Sequence, residues 1–227
     1  MTPSTPLRAP RRDAAANRES LLAAARIVLN RDPNASLETV AAEAGLSRRS
    51  VYGHFANRDE LLLELVTTGA KRVAASLASV SHPNPLTRLA LIASRLWREV
   101  ESVRVMAVVA VRGPLAAHTA ATLGAIRRSV RDAIDDGQAD GSMRQDLPAD
   151  RLARLVEDTA LVVLEDSTGH PISAREGDRL VMLMTLAVVG VGWREAGEFI
   201  AARPELAWPE LERPELERPG TAAEVQH

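Results

Sequence analysis

The sequence predicts an all-α protein of nine helices, with a three-helix N-terminal head followed by a larger helical body. Three observations lead there. Apolar residues recur at i, i+3 or i+4, and i+7 in nearly every segment between Pro and Gly interruptions, and no stretch reads as a strand. Helix-start pairs stand at two of the boundaries, Asn57 with Glu60 and Ser173 with Glu176. The chain of 227 residues is 46% hydrophobic and 26% charged, a balance that supports one or two globular domains.

The elements follow in order. Residues 13–30 carry Leu21, Leu22, Ala25, Val28 and Leu29 on one stripe, and Asp32-Pro33-Asn34 ends it. Leu37, Val40, Ala41 and Ala44 repeat the spacing over a shorter span, with Gly45 as the stop. A third short helix covers about 47–54. Asn57 then opens a long helix to about 81, with Leu62, Leu65, Val66, Val73, Leu77 and Val80 on one side. His82-Pro83-Asn84-Pro85 breaks it. Helices at about 86–101, 103–112 and 115–137 follow, the last two parted by Gly113-Pro114. Pro148 suits the first turn of a helix over 149–167, and Ser173 opens the last, 174–202.

Helix 149–167 is apolar on two sides, with Leu152, Val156, Thr159 and Val163 on one and Leu161 and Leu164 on the other. The last helix is apolar all round from Leu180 to Val191, and such a helix must be covered all round. A second copy of the chain covers it most simply, so a homodimer through 149–167 and 174–202 is expected; a monomer with a buried core helix is the alternative. Both ends differ in kind. Residues 1–12 hold three prolines and three arginines and read as a flexible basic arm. Residues 204–227 bring a proline back at 204, 209, 214 and 219 and read as a disordered Pro/Glu-rich tail. The domains are therefore 1–12, 13–57, 58–203 and 204–227.

Charge and composition remove several classes of activity. With no cysteine, disulfides, thiol nucleophiles and cysteine metal sites are excluded. The five histidines make no metal spacing, and there is no Gly-x-Ser-x-Gly or phosphate loop. Neither an enzyme nor a cofactor nor a metal is expected. The longest apolar stretch, Leu180–Trp193, is shorter than the ~20 residues that span a bilayer, and no secretory signal is visible, so a cytoplasmic protein is expected. The formal net charge of −2 hides segregation. Residues 1–12 and 44–58 carry six arginines and no acid, while the tail is acidic.

Residues 36–61 concentrate the functional signal. Two short helices joined by a Gly-containing turn have helix-turn-helix spacing, in which the second helix meets base edges in the major groove. Leu46, Val51 and Phe55 form the buried wedge, leaving Ser47, Arg48, Arg49, Ser50, Tyr52 and His54 exposed. Arginine reads guanine with two hydrogen bonds, and hydroxyls suit phosphate oxygens.

The same run resembles the DNA-binding signature of the TetR family of one-component transcriptional repressors. The match runs from Val40-Ala41 through Gly45 to Ser47, then Tyr52-x-His54-Phe55, then Arg58, Asp59 and Leu61. The resemblance implies that Ser36, Thr39, Ser47, Arg48, Arg49, Tyr52, His54 and Arg58 touch DNA. Tyr52, His54 and Arg58 would hold phosphates, and Arg48 and Arg49 would read sequence. Thr39 stands where the family often has an acid, and residues 32–35 replace its usual Gly-aromatic link. The resemblance further implies a homodimer on a palindromic operator of double-stranded DNA and a small-molecule effector. The effector would sit in a pocket for which Trp97, Met106, His118 and Asp158 are candidates, and would move helix 58–81 as a lever. A helical protein-interaction module and a regulator without an effector are the alternatives.

Overall fold

In a computed structural model of the chain, residues 9–209 are described; among them are ten α-helices, two short 3-10 turns and no strand. The head comprises α1 (Ala9–Arg31), α2 (Leu37–Glu43) and α3 (Arg48–His54). Helix α4 (Arg58–Leu77) leads out of it into a body of α5 (Pro85–Val100), α6 (Arg104–Arg112), α7 (Ala116–Ala139), α8 (Ala149–Gly169), α9 (Ala174–Val188) and α10 (Trp193–Ala201). The architecture is all-α, as the periodicity predicts.

Local chemistry sets the boundaries. Gly45 adopts a φ of 68°, and the Leu46 amide donates back to the Ala41 carbonyl at 2.9 Å, closing α2. Asn57 accepts from the Glu60 amide at 2.9 Å, while the Glu60 carboxylate reaches past the cap to the Ala56 amide at 2.7 Å. Ser173 and Glu176 form the full reciprocal capping box of α9.

Three boundaries differ from expectation. Helix α1 starts at Ala9, so residues 9–12 are helical rather than part of an arm; residues 1–8 lie outside the described residues. The single helix expected over 174–202 is two helices. Gly190, at a φ of 104°, lets the Val191 amide turn back to the Leu186 carbonyl at 3.0 Å, and α10 folds back to bury Ala196 and Ile200. The tail does not begin at 204. Pro204–Leu206 form a 3-10 turn that buries Leu206, and Arg98 donates to the Ala207 carbonyl at 3.1 Å while stacking on the Trp208 ring. Leu206 and Trp208 are apolar enough to dock on α5 despite the prolines around them; residues 210–227 lie outside the described residues.

The burial of α9 also departs from the all-round pattern. Val181, Met182, Thr185 and Leu186 are buried against the body, whereas Met184 is 42% exposed. On α8 the outward side chains are Leu155 and Val162. No described helix is long and apolar enough to cross a membrane.

Two apolar clusters meet along α4. Leu61, Leu62, Leu65 and Val66 join the head core of Leu21, Leu29, Val40, Val51 and Phe55. Val73 and Leu77 join a body cluster around Trp97. Helices α5 and α9 are joined by the buried Asp178, which accepts from Ser94 Oγ at 2.7 Å and from the Arg98 guanidinium at 3.2 Å, so this buried charge is paired and hydrogen-bonded.

The α5–α9 contact is close because Gly177 of α9 has no side chain. A Cβ there would fall inside the Trp97 ring. Gly177→Ala is therefore expected to destabilise the protein by about 1–3 kcal/mol through overpacking, read as a lowered Tm in a thermal scan. An unchanged Tm would contradict this packing.

Candidate nucleic-acid interface and effector cavity

The head presents α3 as a short, capped, polar helix. Ser47 Oγ accepts from the Ser50 amide at 3.1 Å, and Ser36 Oγ accepts from the Thr39 amide of α2 at the same distance. Both serines thus satisfy amides at helix starts, and both stay exposed with Thr39. Val51 and Phe55 are fully buried and set the rotation of α3. That rotation leaves Arg48, Arg49 and Tyr52 exposed, with Ser50 and His54 half-buried.

Three features of this surface were not legible in the sequence. Glu38 of α2 clasps two of the expected DNA-contacting side chains. Its Oε1 accepts from the Tyr52 hydroxyl at 2.9 Å and lies 3.1 Å from Arg48 Nη2. The carboxyl is held below the usual range by a backbone hydrogen bond in its own turn, then by the Tyr52 hydroxyl and the Arg48 charge. It is therefore ionised at neutral pH. Arg18 of α1 joins three helices: it pairs with Glu64 of α4, donates to the His54 carbonyl at the end of α3 at 2.8 Å, and stacks on Phe55.

Arg58 is the third. Its guanidinium donates to the carbonyls of Pro33 and, at 3.0 Å, Ala35. It ties the start of α4 to the α1–α2 loop. The replaced link at 32–35 supplies the two carbonyls. No single-residue signal marks such pairings, which join positions distant in sequence.

The body encloses a cavity of about 400 Å³ between α4, α5, α6, α7, α8 and α9. Trp97 and Met106, two of the four candidates, line it. Trp97 is oriented by its Nε1, which donates to the Ala174 carbonyl at 2.8 Å. His118 and Asp158 do not line it, and both are exposed. Thr119, the neighbour of His118, is the residue that turns inward, donating to the Ala110 carbonyl at 2.6 Å. Asp158 lies on the outer side of α8, 3.7 Å from Arg112, while Val156 and Ala160 face the cavity. Ile92, Leu96, Ile126, Leu161 and Thr185 line it without having been candidates; apolar spacing alone does not separate a cavity wall from a packed core.

Met106 joins the two regions. It belongs to the head core and also to the cavity wall. Beside it, Asn30 at the end of α1 donates to the Ser102 carbonyl at 3.2 Å and accepts from the Val105 amide at 3.1 Å, pinning the head to the start of α6.

Comparison with known proteins agrees with this geometry. Residues 21–65 match the family model for bacterial regulatory proteins of the tetR family. No curated protein sequence matches the chain. Among solved structures, SmeT, the repressor of the Stenotrophomonas maltophilia multidrug efflux pump SmeDEF, superposes with a TM-score of 0.59 at 24% identity, covering 77% of this chain and 91% of its own. PfmR from Thermus thermophilus, a TetR family transcriptional regulator, gives 0.63 at 17% identity over 74% and 96%. LfrR from Mycobacterium smegmatis, solved with proflavine, gives 0.59 at 17% identity over 77% and 96%. At these identities the likeness is one of fold.

Releasing the Glu38 clasp has a readable consequence. Glu38→Gln removes a negative charge from the arginine-bearing face and frees Arg48. Affinity for duplex DNA of any sequence is expected to rise about two- to fivefold at low salt, measured by fluorescence anisotropy. A fall in affinity would show instead that the clasp positions Arg48 and Tyr52 for DNA.

Proposed function

We propose that this chain, of the tetR family of bacterial regulatory proteins by its residues 21–65 and by its fold, is a ligand-responsive DNA-binding transcriptional regulator acting as a repressor in the cytoplasm, without catalysis. The observation that carries the reading is Arg48 and Arg49 on the exposed side of α3. The buried Val51 and Phe55 set their register, and no acid occurs between residues 44 and 58. In this reading α3 enters the major groove, Arg48 and Arg49 meet base edges, and Ser36, Thr39, Ser47, Ser50, Tyr52 and His54 contact the backbone.

The protein acts as a homodimer. The outward apolar side chains of α8 and α9, Leu155, Val162 and Met184, supply the surface that a second copy covers. Two heads related by a two-fold axis then place their α3 helices in successive major grooves about 34–36 Å apart, which selects a palindromic operator.

The effector occupies the apolar cavity. SmeT, solved with triclosan, and LfrR, solved with proflavine, share the fold, and the shared Met106 gives a ligand in this cavity a direct contact with the head core. A ligand that fits one setting of α4 and α6 better than the other shifts the spacing of the heads and releases DNA.

Two experiments check the reading. Genomic fragments selected by the purified protein at low salt are expected to share a palindrome, and Arg49→Ala is expected to relax one base position in each half-site at a cost of about 1–3 kcal/mol. Absence of any enriched palindrome would leave a helical interaction module. Val162→Glu is expected to give a monomer in sedimentation velocity with operator affinity reduced at least tenfold; a dimer unchanged by it would place the interface elsewhere.

A further inference from the structure

The acid that governs the α3 surface comes from another helix. No carboxylate occurs between residues 44 and 58, yet Glu38, in the first turn of α2, brings one against Arg48 and Tyr52. Two donors of α3 converge on a single oxygen. Glu38 Oε1 accepts from the Tyr52 hydroxyl at 2.9 Å and lies 3.1 Å from Arg48 Nη2. The Arg48 guanidinium also stands over the Tyr52 ring, 5.6 Å from its centre. The three side chains therefore restrain one another. No described acid pairs with Arg49, the next residue, which is also exposed. The face thus carries one held arginine and one free one.

The clasp does not bury what it holds. Arg48 keeps 75% of its side chain exposed, and an exposed pair of this kind adds little to the stability of a fold. Its effect falls on what the two donors can bind next. A phenol has one proton to donate. While Tyr52 gives it to Glu38, none is left for a phosphate oxygen, which only accepts. Arg48 differs, because a guanidinium carries five N–H groups in a planar fork. Pairing at Nη2 leaves the other edge of the fork open to a base, but a move to phosphate requires giving up Glu38.

Binding to DNA of arbitrary sequence comes almost entirely from phosphate contacts, whereas discrimination comes from base edges. We propose that Glu38 is a specificity-determining residue of the DNA interface. It withholds Tyr52 and Arg48 from phosphate and keeps the Arg48 fork for a base edge, so it weakens binding to arbitrary sequence more than binding to the operator. This role rests on the reading of α3 as the helix that enters the major groove, and in it Tyr52 reaches the backbone only after leaving Glu38.

The test compares the full chain with two variants. Glu38→Ala removes both the charge and the clasp. Glu38→Asp keeps the charge on a side chain one methylene shorter, which no longer reaches both donors. Each protein is titrated by fluorescence anisotropy, over a range of salt, with the palindrome selected from genomic fragments and with a random duplex of equal length. Loss of the charge favours all DNA alike, while release of the donors favours only the random duplex. Glu38→Ala is therefore expected to bind the random duplex about fivefold more tightly and the palindrome about twofold. Glu38→Asp is expected to gain about twofold on the random duplex and nothing on the palindrome. In both, the ratio of the two affinities falls about twofold or more, and the salt slope on random DNA steepens by about one.

A ratio lowered by Glu38→Ala but not by Glu38→Asp would show that the charge acts without the clasp, and would overturn the proposal. So would a ratio unchanged in both variants. A ratio lowered only because the palindrome binds more weakly, with no gain on random DNA, would make Glu38 a support of α3 rather than a restraint on phosphate binding. Each of these results leaves the regulator reading in place. If no palindrome is enriched, that reading fails and this role fails with it.

Discussion

The first half of α4 buries Leu61, Leu62, Leu65 and Val66 in the head, and its second half buries Val73 and Leu77 in the body. A continuous helix of 20 residues, about 30 Å long, is thereby held in two cores at once. Interiors packed at crystal-like density do not deform smoothly. A change in the body core that displaces the second half of α4 must carry the first half with it. Met106 and the Asn30 hydrogen bonds form a parallel connection through α6. Helix α4 and Met106 thus connect the body core physically to the head.

The head has to be rigid for that connection to matter, and its rigidity comes from polar joints laid over a small core. Arg18 satisfies the carbonyl end of α3 and pairs with α4, while Arg58 holds the α1–α2 loop. The partly exposed ion pair contributes little by itself. The geometry matters more: each guanidinium spans elements that the apolar core alone would allow to slide. The Glu38 clasp is of another kind, since it restrains the side chains that would face DNA. A carboxylate on that surface opposes phosphate while limiting the rotamers of Arg48 and Tyr52, so it trades affinity against order.

The body reverses this division. Its walls are apolar and its charges lie outside, apart from Asp178, which Ser94 and Arg98 neutralise at the α5–α9 seam. Arg98 then reaches the Ala207 carbonyl and the Trp208 ring, so the buried carboxylate also organises the docking of residues 204–208. Proline spacing concealed this docking. The 3-10 turn at Pro204–Leu206 needs no amide from proline, and one buried leucine with one stacked tryptophan suffices to hold the segment.

The sequence by itself determined the helical class, the position of most helices, the caps at Asn57 and Ser173, and the exposed arginines of α3. All of these depend on local chemistry: a 3.6-residue period, a hydroxyl or amide oxygen beside a free backbone N–H, a glycine able to take positive φ. The tertiary structure alone decided which apolar side chains fill a core and which line a cavity. Leu152 and Ile92 obey the same periodicity, yet one is enclosed in a packed cluster and the other also faces open space with Leu96 and Leu161. It alone decided that His118 and Asp158 face solvent, that Arg58 binds the carbonyls of the α1–α2 loop, and that Gly190 divides the last long helix. These outcomes depend on what lies opposite each residue across tens or hundreds of positions in sequence, and no local pattern encodes that.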